Sequence, residues 1–575
     1  MAVLHRALLT WFLGLVFLIL LLEVSSWNLP LYYVFIPLWC ILAVIIFVMM
    51  HHLAQVAADR QFVFLNELTH FFRRLSQVAS GDELVQIPLK NSHKPTFAHS
   101  DWLSISSRRS STLKMAAIRS ITPEILSSLR NKFFGDSKNI LALNACARTD
   151  PIELCTSRAG LDEINHVFNQ RIEIEGKPIT NQKSSGRCWL FAFLNCVRIP
   201  FMKHYNIDEF EFSQSYLFFY DKLERCHYFL NNVVETYNRG ERVDGRLVSY
   251  ILQDPCSDGG QWDMVSNLVL RYGLMPKKNF QESFSSESTN RLNSILKSKL
   301  REFCKELRTL LDQGKPQDEV QLKVDQQLSQ IFRIISICLG IPKDKFVWEY
   351  YDKTKNYHKV GPISPQKFYE EFVKPVYNIE DKICLVNDPR EIHPYNKAYT
   401  VDCLGNVVGG NPIIYNNQHI DLLEQVASTS IKKGEPVWFG CEVVKRFAAK
   451  QGIEDLTIHD YSLVFGTDVT LGLTKAERLL YGESCMTHAM VFTACSVDDN
   501  GKVTKWRVEN SWGDDRGDKG YFVMSADWFK EFVFELVVDK SVVPADVLEV
   551  FKLEPTILPA WDPMGTLACR NCCSR

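Results

Sequence analysis

A cysteine at the head of one apolar run, and a histidine and an asparagine at the edges of two β-like runs far downstream, constrain this chain most. Cys188 follows Gly186-Arg187 and opens the stretch Trp189 to Val197; His488 precedes Met490 to Val497; Asn510 follows Lys505 to Glu509. The sequence predicts a buried helix with Cys188 in its first turn, ended by Pro200. There the helix dipole favours a thiolate by about 0.3–1 kcal/mol. A thiol is a useful nucleophile only as thiolate, and it wants an imidazole beside it. His488 is the candidate base, and Asn510 the candidate acceptor for the ring N–H that fixes its tautomer. Gln182, six residues before Cys188, is the candidate donor to a developing oxyanion. Taken singly, a cysteine is usually a buried hydrophobe, and Asn510-Ser511-Trp512-Gly513 could be an ordinary turn. In this order the four residues specify nucleophilic catalysis by a cysteine.

The order Gln, Cys, His, Asn resembles that of the papain-like cysteine peptidases. Longer motifs sharpen the resemblance to the bleomycin hydrolase family: Asn181 to Trp189, Glu211 to Lys222, Asp258-Gly-Gly-Gln-Trp-Asp-Met264, Val386-Asn-Asp-Pro-Arg390 and Trp506 to Gly513. The resemblance covers residues 120–568. It implies an α+β, two-lobed papain-like fold, with a helical lobe and a β-rich lobe. It also implies a cysteine aminopeptidase acting on peptides and aminoacyl amides, the amide of bleomycin and homocysteine thiolactone. Carried over by residue, Cys188 is the nucleophile, His488 the base, Asn510 the orienting residue and Gln182 the oxyanion donor. The family requires no metal or cofactor.

In papain-like enzymes the histidine follows the cysteine by roughly 130–150 residues. Here the separation is 300 residues, so extra elements are expected. Leu292, Ile295, Leu296, Leu300, Phe303, Leu307 and Leu311 recur at the three- and four-residue steps of an amphipathic helix, and a second such pattern runs from Val320 to Leu339. These mark a helical insertion at about 290–340, which in the family helps to build a homohexamer; the resemblance implies the same assembly here.

Residues 1–119 fall outside the resemblance. Ala7 to Leu22 and Leu29 to Met50 are apolar runs of sixteen and twenty-two residues, and a membrane span needs about 20. They predict a two-helix transmembrane hairpin over residues 1–55. The segment between them carries no Lys or Arg, whereas Arg6 precedes and Arg60, Arg73 and Arg74 follow. The positive-inside bias then puts the catalytic part in the cytosol. Residues 56–119 read as a juxtamembrane helix followed by a flexible basic linker. Seventeen scattered cysteines match neither a disulfide framework nor a metal-ligand spacing, which also suits a reducing, cytosolic setting.

The stretch Leu558 to Ala568 resembles the family's carboxyl-terminal tail, which lies in the substrate cleft. A terminal carboxylate there pairs with the substrate's free amine. Residues 569–575 extend beyond that point and add Arg570 and Arg575, so exopeptidase behaviour is expected to depend on trimming. The competing reading is a nucleic-acid-binding or membrane-anchored scaffold with secondary hydrolase activity. It rests on basic stretches such as Lys297 to Arg308; the overall net charge of −2 gives it no global support.

Overall fold

The structure is a computed structural model that describes residues 120–569. The hairpin expected over 1–55, the helix and linker of 56–119 and the last six residues lie outside the described residues. Among the described residues, no helix is long and apolar enough to cross a membrane.

Helix α1 (Cys188–His204) is mostly apolar, and every residue from Cys188 to Ile199 is buried, the polar Asn195 and Arg198 included. A helix with no polar face has to be enclosed. Pro200 does not end it. The ring removes one N–H donor, but Phe201 and Met202 stay fully buried beyond it and hold the last turn in register. Helix α2 (Gln214–Asn238) begins at Ser213, whose hydroxyl accepts from the Tyr216 amide at 3.0 Å. Helix α3 (Trp262–Tyr272) packs against both α1 and α2.

The two amphipathic patterns form α4 (Asn290–Asp312) and α5 (Gln317–Leu339), which pack on α2 and on each other. Leu292, Leu296, Leu300, Phe303 and Leu307 face the core, whereas Ile295 is 48% exposed. Each buried side chain of this kind contributes about 1.5–3 kcal/mol, so the pair is part of the helical core. Three cations of α4 are engaged locally. Lys297 pairs with Asp254 at 2.7 Å, Arg301 donates to the Leu252 and Gln253 carbonyls, and Arg308 donates to the Glu241 carbonyl.

The β-rich half centres on β1 (Val437–Cys441), β2 (His488–Val497), β3 (Val503–Glu509), β4 (Tyr521–Ser525) and β5 (Val533–Asp539). They lie side by side in the order β5-β1-β2-β3-β4, each pair antiparallel, at the middle of a larger sheet. Valine, phenylalanine and tryptophan side chains fill a core between this sheet and the helices Ile420–Lys432 and Ala526–Phe532. Helix α1 lies against β2 and β1. The cysteine-bearing helix and the histidine-bearing strand are therefore direct neighbours.

Two buried acidic side chains, Glu509 and Glu454, sit very differently in this core. Arg198 of α1 and Glu509 of β3 form an ion pair at 2.6 Å with both side chains almost completely enclosed. Glu454, on a short strand parallel to β4, is also fully buried, yet neither carboxylate oxygen has a hydrogen-bond partner among the described residues. Burial pushes its carboxyl well above the ordinary value. A raised acid pKa means that the folded chain holds its proton more tightly than the unfolded chain does. Stability is then lost as pH climbs above about 4.3, the unfolded value, toward the folded one. Glu454→Leu is expected to stabilise the protein by about 1–3 kcal/mol at about pH 8, with the gain shrinking at about pH 4. Urea midpoints at the two pH values check this; a gain independent of pH would mean that ionisation of Glu454 is not its source.

Candidate active site

Cys188 occupies the first position of α1 and is 1% exposed. The loop before it is tied on both sides. The Gln182 amide N–H donates to the Ser511 carbonyl at 2.8 Å, and Gly513 N–H donates to the Thr180 carbonyl at 3.0 Å. Residues 180–182 and 511–513 thus close like two edges of a zipper. Arg187 anchors the last step. It donates to Glu282 at 2.8 and 3.0 Å and lies between the rings of Phe191 and Phe218.

His488 begins β2 opposite Cys441 of β1, and the Cys441 thiol is near enough to feel the charge state of Cys188. His488 and Asn510 are both buried, and His488 Nε2 lies 2.8 Å from Asn510 Oδ1. An amide oxygen only accepts, so Nε2 carries the proton and, in the neutral ring, the acceptor lone pair is on Nδ1. Asn510 Oδ1 also accepts from the Ser511 amide at 2.7 Å, which fixes the orientation of the side chain. The Trp512 ring lies 4.7 Å from the imidazole, tilted by 31°. Shielding of this kind strengthens the hydrogen bond beneath it.

Gln182 is wholly buried. Its Oε1 accepts from the Ser511 hydroxyl at 2.7 Å, and its Nε2 donates to the Ser185 carbonyl at 2.6 Å. The first bond sets the amide orientation, and Nε2 carries a second N–H. The structure brings Gln182, Cys188, His488 and Asn510 to one junction between α1 and the β2–β3 pair. Such a set can hold a thiolate, move one proton at Nδ1 and offer N–H donors to an oxyanion.

Asp258 supports the helix start from the other side. Its carboxylate pairs with Lys222 at 2.6 Å, accepts from Thr289, from Asn293 at 2.8 Å and from the Gly186 amide at 3.3 Å. Its carbonyl accepts from Trp189 Nε1 at 2.7 Å. Burial pushes the Asp258 carboxyl up, but Lys222 and the side-chain bonds override this and hold it well below the usual carboxylate range. Gly260 follows because nothing larger fits: a Cβ there would stand 2.5 Å from the Trp189 ring.

The carboxyl-terminal segment reaches this site. The Met564 carbonyl accepts from Gln261 Nε2 at 3.1 Å and from the Tyr415 hydroxyl at 3.2 Å. Thr566 donates to the carbonyl of Met486, two residues before His488, at 3.1 Å, and Leu567 is buried beside Gly440 of β1. Upstream, Asp562 is clamped by Arg390 at 2.8 Å; Arg390 also pairs with Asp388, which His393 contacts. The four side chains of this clamp are buried.

Residues 120–565 match the model of the Peptidase C1-like family. The chain belongs to that family. The peptidase is 54% identical to the bleomycin hydrolases of Mus musculus and Homo sapiens over 450 residues, covering 78% of this chain and 99% of each relative. It is 42% identical to aminopeptidase C of Lactobacillus delbrueckii subsp. lactis over 431 residues, 74% of this chain and 94% of the relative. The crystal structure of pepw from Lactobacillus rhamnosis HN001 superposes with a TM-score of 0.75 at 39% identity, covering 78% of this chain and 99% of that one. The peptidase is thus a papain-like cysteine peptidase of the bleomycin hydrolase type, with the α+β fold expected from its motifs. The tail clamp was not read from the sequence, although Val386-Asn-Asp-Pro-Arg390 stood out as a motif.

Proposed function

We propose that the peptidase is a thiol aminopeptidase. Cys188 attacks the carbonyl carbon of the substrate's amino-terminal residue, and its proton passes to His488 Nδ1. The C–N bond breaks as the leaving amine takes that proton back. Water, deprotonated at the same nitrogen, then cleaves the thioester. Asn510 holds the ring throughout, and Gln182 donates its second N–H to each oxyanion. The observation that carries this reading is the buried His488–Asn510 bond on the strand pair that packs against the cysteine-bearing helix. Gln182→Ala is expected to lower kcat by about 10²–10³ with little change in KM. Asn510→Ala is expected to lower kcat through misorientation of His488. Steady-state kinetics on an aminoacyl fluorogenic amide decide the matter, and near-parental kcat in both variants sinks the assignment.

The restriction to free amino termini is assigned to residues 559–567, with the Arg390–Asp562 pair as the clamp that sets where the tail ends. Charge-assisted bonds of this type are worth about 1.5–3 kcal/mol. Asp562→Asn and Arg390→Met should therefore raise the ratio of kcat/KM on N-acetylated to free-amine substrates by about ten- to a hundredfold. An equal loss on both substrates would reduce the clamp to a folding element. The substrate range includes the amide of bleomycin, for which the mouse and human relatives are named, and homocysteine thiolactone. Assembly is proposed to be a homohexamer facing the cytosol, tethered through residues 1–55. Sedimentation and carbonate extraction of the full chain test both points.

A further inference from the structure

Cys226 of α2 and Cys256, in the loop before α3, bring their sulfurs to 3.6 Å. Both thiols are buried, and the Cys441, Cys384 and Cys196 thiols lie elsewhere in the fold. Cys256 has a cation beside it: Lys222, one turn before Cys226 on α2, places Nζ 3.7 Å from the Cys256 sulfur while also pairing with Asp258. The other charges nearby, Asp221 and Arg225, form their own ion pair at 2.9 Å. The bond from the Cys226 thiol holds the Cys256 thiol below its ordinary value, against burial and with help from Lys222. Burial pushes Cys226 up. With the Lys222 ammonium beside its sulfur, Cys256 is the thiol suited to attack, and Cys226 the one suited to resolve. Pro255 and Ser257, on either side of Cys256, line a cavity of about 260 Å³ together with Arg225, Phe229 and Met264; both thiols lie fully buried behind this lining, so an oxidant reaches them only through a local opening of the Cys256 loop.

We propose that Cys226 and Cys256 form a redox modification site, closed to a disulfide by hydrogen peroxide and reopened by thiol reductants, and that closure slows the peptidase. The Cys256 thiolate attacks one peroxide oxygen. The O–O bond breaks, giving Cys256 sulfenic acid and, with one proton, water. The Cys226 sulfur then attacks the Cys256 sulfur, the S–O bond breaks, and the Cys226 proton leaves in a second water. Two thiols and one peroxide thus give one disulfide and two waters; reduction returns two electrons and two protons.

A disulfide holds its sulfurs about 2.05 Å apart, so closure draws the Cys256 loop toward α2 by up to about 1.5 Å. Two residues on, Asp258 carries the bonds to Gly186 and Trp189 that seat the start of α1. Misplacing a reacting group by about 1 Å can cost about a hundredfold in rate. The expected loss in kcat/KM is therefore about ten- to a hundredfold.

The activity half of this inference rests on the aminopeptidase reading, but the chemical half does not. Full-length Cys188→Ala protein, in which the candidate nucleophile cannot react, is treated with hydrogen peroxide and digested without reduction. The expected result is a cross-linked peptide joining Cys226 and Cys256, lost on reduction; its absence overturns the proposal whatever the enzyme cleaves. In the protein with Cys188 intact, peroxide should cost about tenfold more activity than in Cys256→Ala or Cys226→Ser, and dithiothreitol should remove that difference. Equal inactivation of parent and both variants overturns the regulatory role. If untreated parent protein cleaves no aminoacyl amide, the functional reading fails, and the cross-link alone judges the site.

Discussion

Cys188→Ala is expected to abolish hydrolysis of aminoacyl amides, with a fall in kcat of about 10⁶-fold, while the fold stays intact. The magnitude follows from what one atom does in the proposed mechanism. The sulfur supplies the nucleophile, makes the thioester and leaves when water cleaves it, so neither His488 nor Gln182 has anything to act on without it. The fold survives because α1 is held by the burial of Trp189, Leu190, Phe193 and Leu194 and by the Arg187–Glu282 pair, none of which involves the thiol. Losing one buried sulfur leaves a cavity about the size of a methyl group, which costs about 1 kcal/mol. Steady-state rates, near-ultraviolet circular dichroism and labelling by an iodoacetamide-type reagent check the three parts. Activity within about tenfold of the parent would mean that another residue is the nucleophile.

The candidate site was legible in the sequence because each candidate residue sits at the boundary of a run with clear periodicity. Cys188 opens an all-apolar run, His488 opens a strand and Asn510 closes one, and those boundaries are where the helix and the strands begin and end. The amphipathic period likewise revealed α4 and α5. Pro200 does not stop the helix as its residue type predicts, because the burial of Phe201 and Met202 beyond it outweighs one missing hydrogen bond. Ile295 fits the helical period but faces outward, since a period marks a stripe and not its limits. The Arg390–Asp562 clamp and the contact of Cys226 with Cys256 join residues 172 and 30 positions apart. Pairings of that kind have no local signature. Arg198 and Glu509 are a third example, and their energetic consequence is the largest.

Arg198→Met is expected to destabilise the protein by about 3–5 kcal/mol, the cost of leaving a buried carboxylate without its partner. Arg198 lies on the cysteine-bearing helix, and Glu509 directly precedes Asn510, so this single ion pair ties the two halves of the candidate site together. Arg198 also donates to the Pro178 carbonyl at 2.7 Å, just upstream of the Gln182 loop. Methionine restores much of the volume but neither bond. A buried pair is costly to break yet often replaceable as a unit, because removing both charges also removes both desolvation penalties. Arg198→Met/Glu509→Met should therefore recover most of the loss, and urea unfolding of the parent, both single variants and the double variant separates the terms. If the double variant is as unstable as Arg198→Met alone, packing around Arg198 and the bond to Pro178 carry the stability. Recovery of stability without recovery of kcat would show the pair's second effect: α1 and β3 would still fold together, but Cys188 and Asn510 would no longer be held in the register that His488 requires.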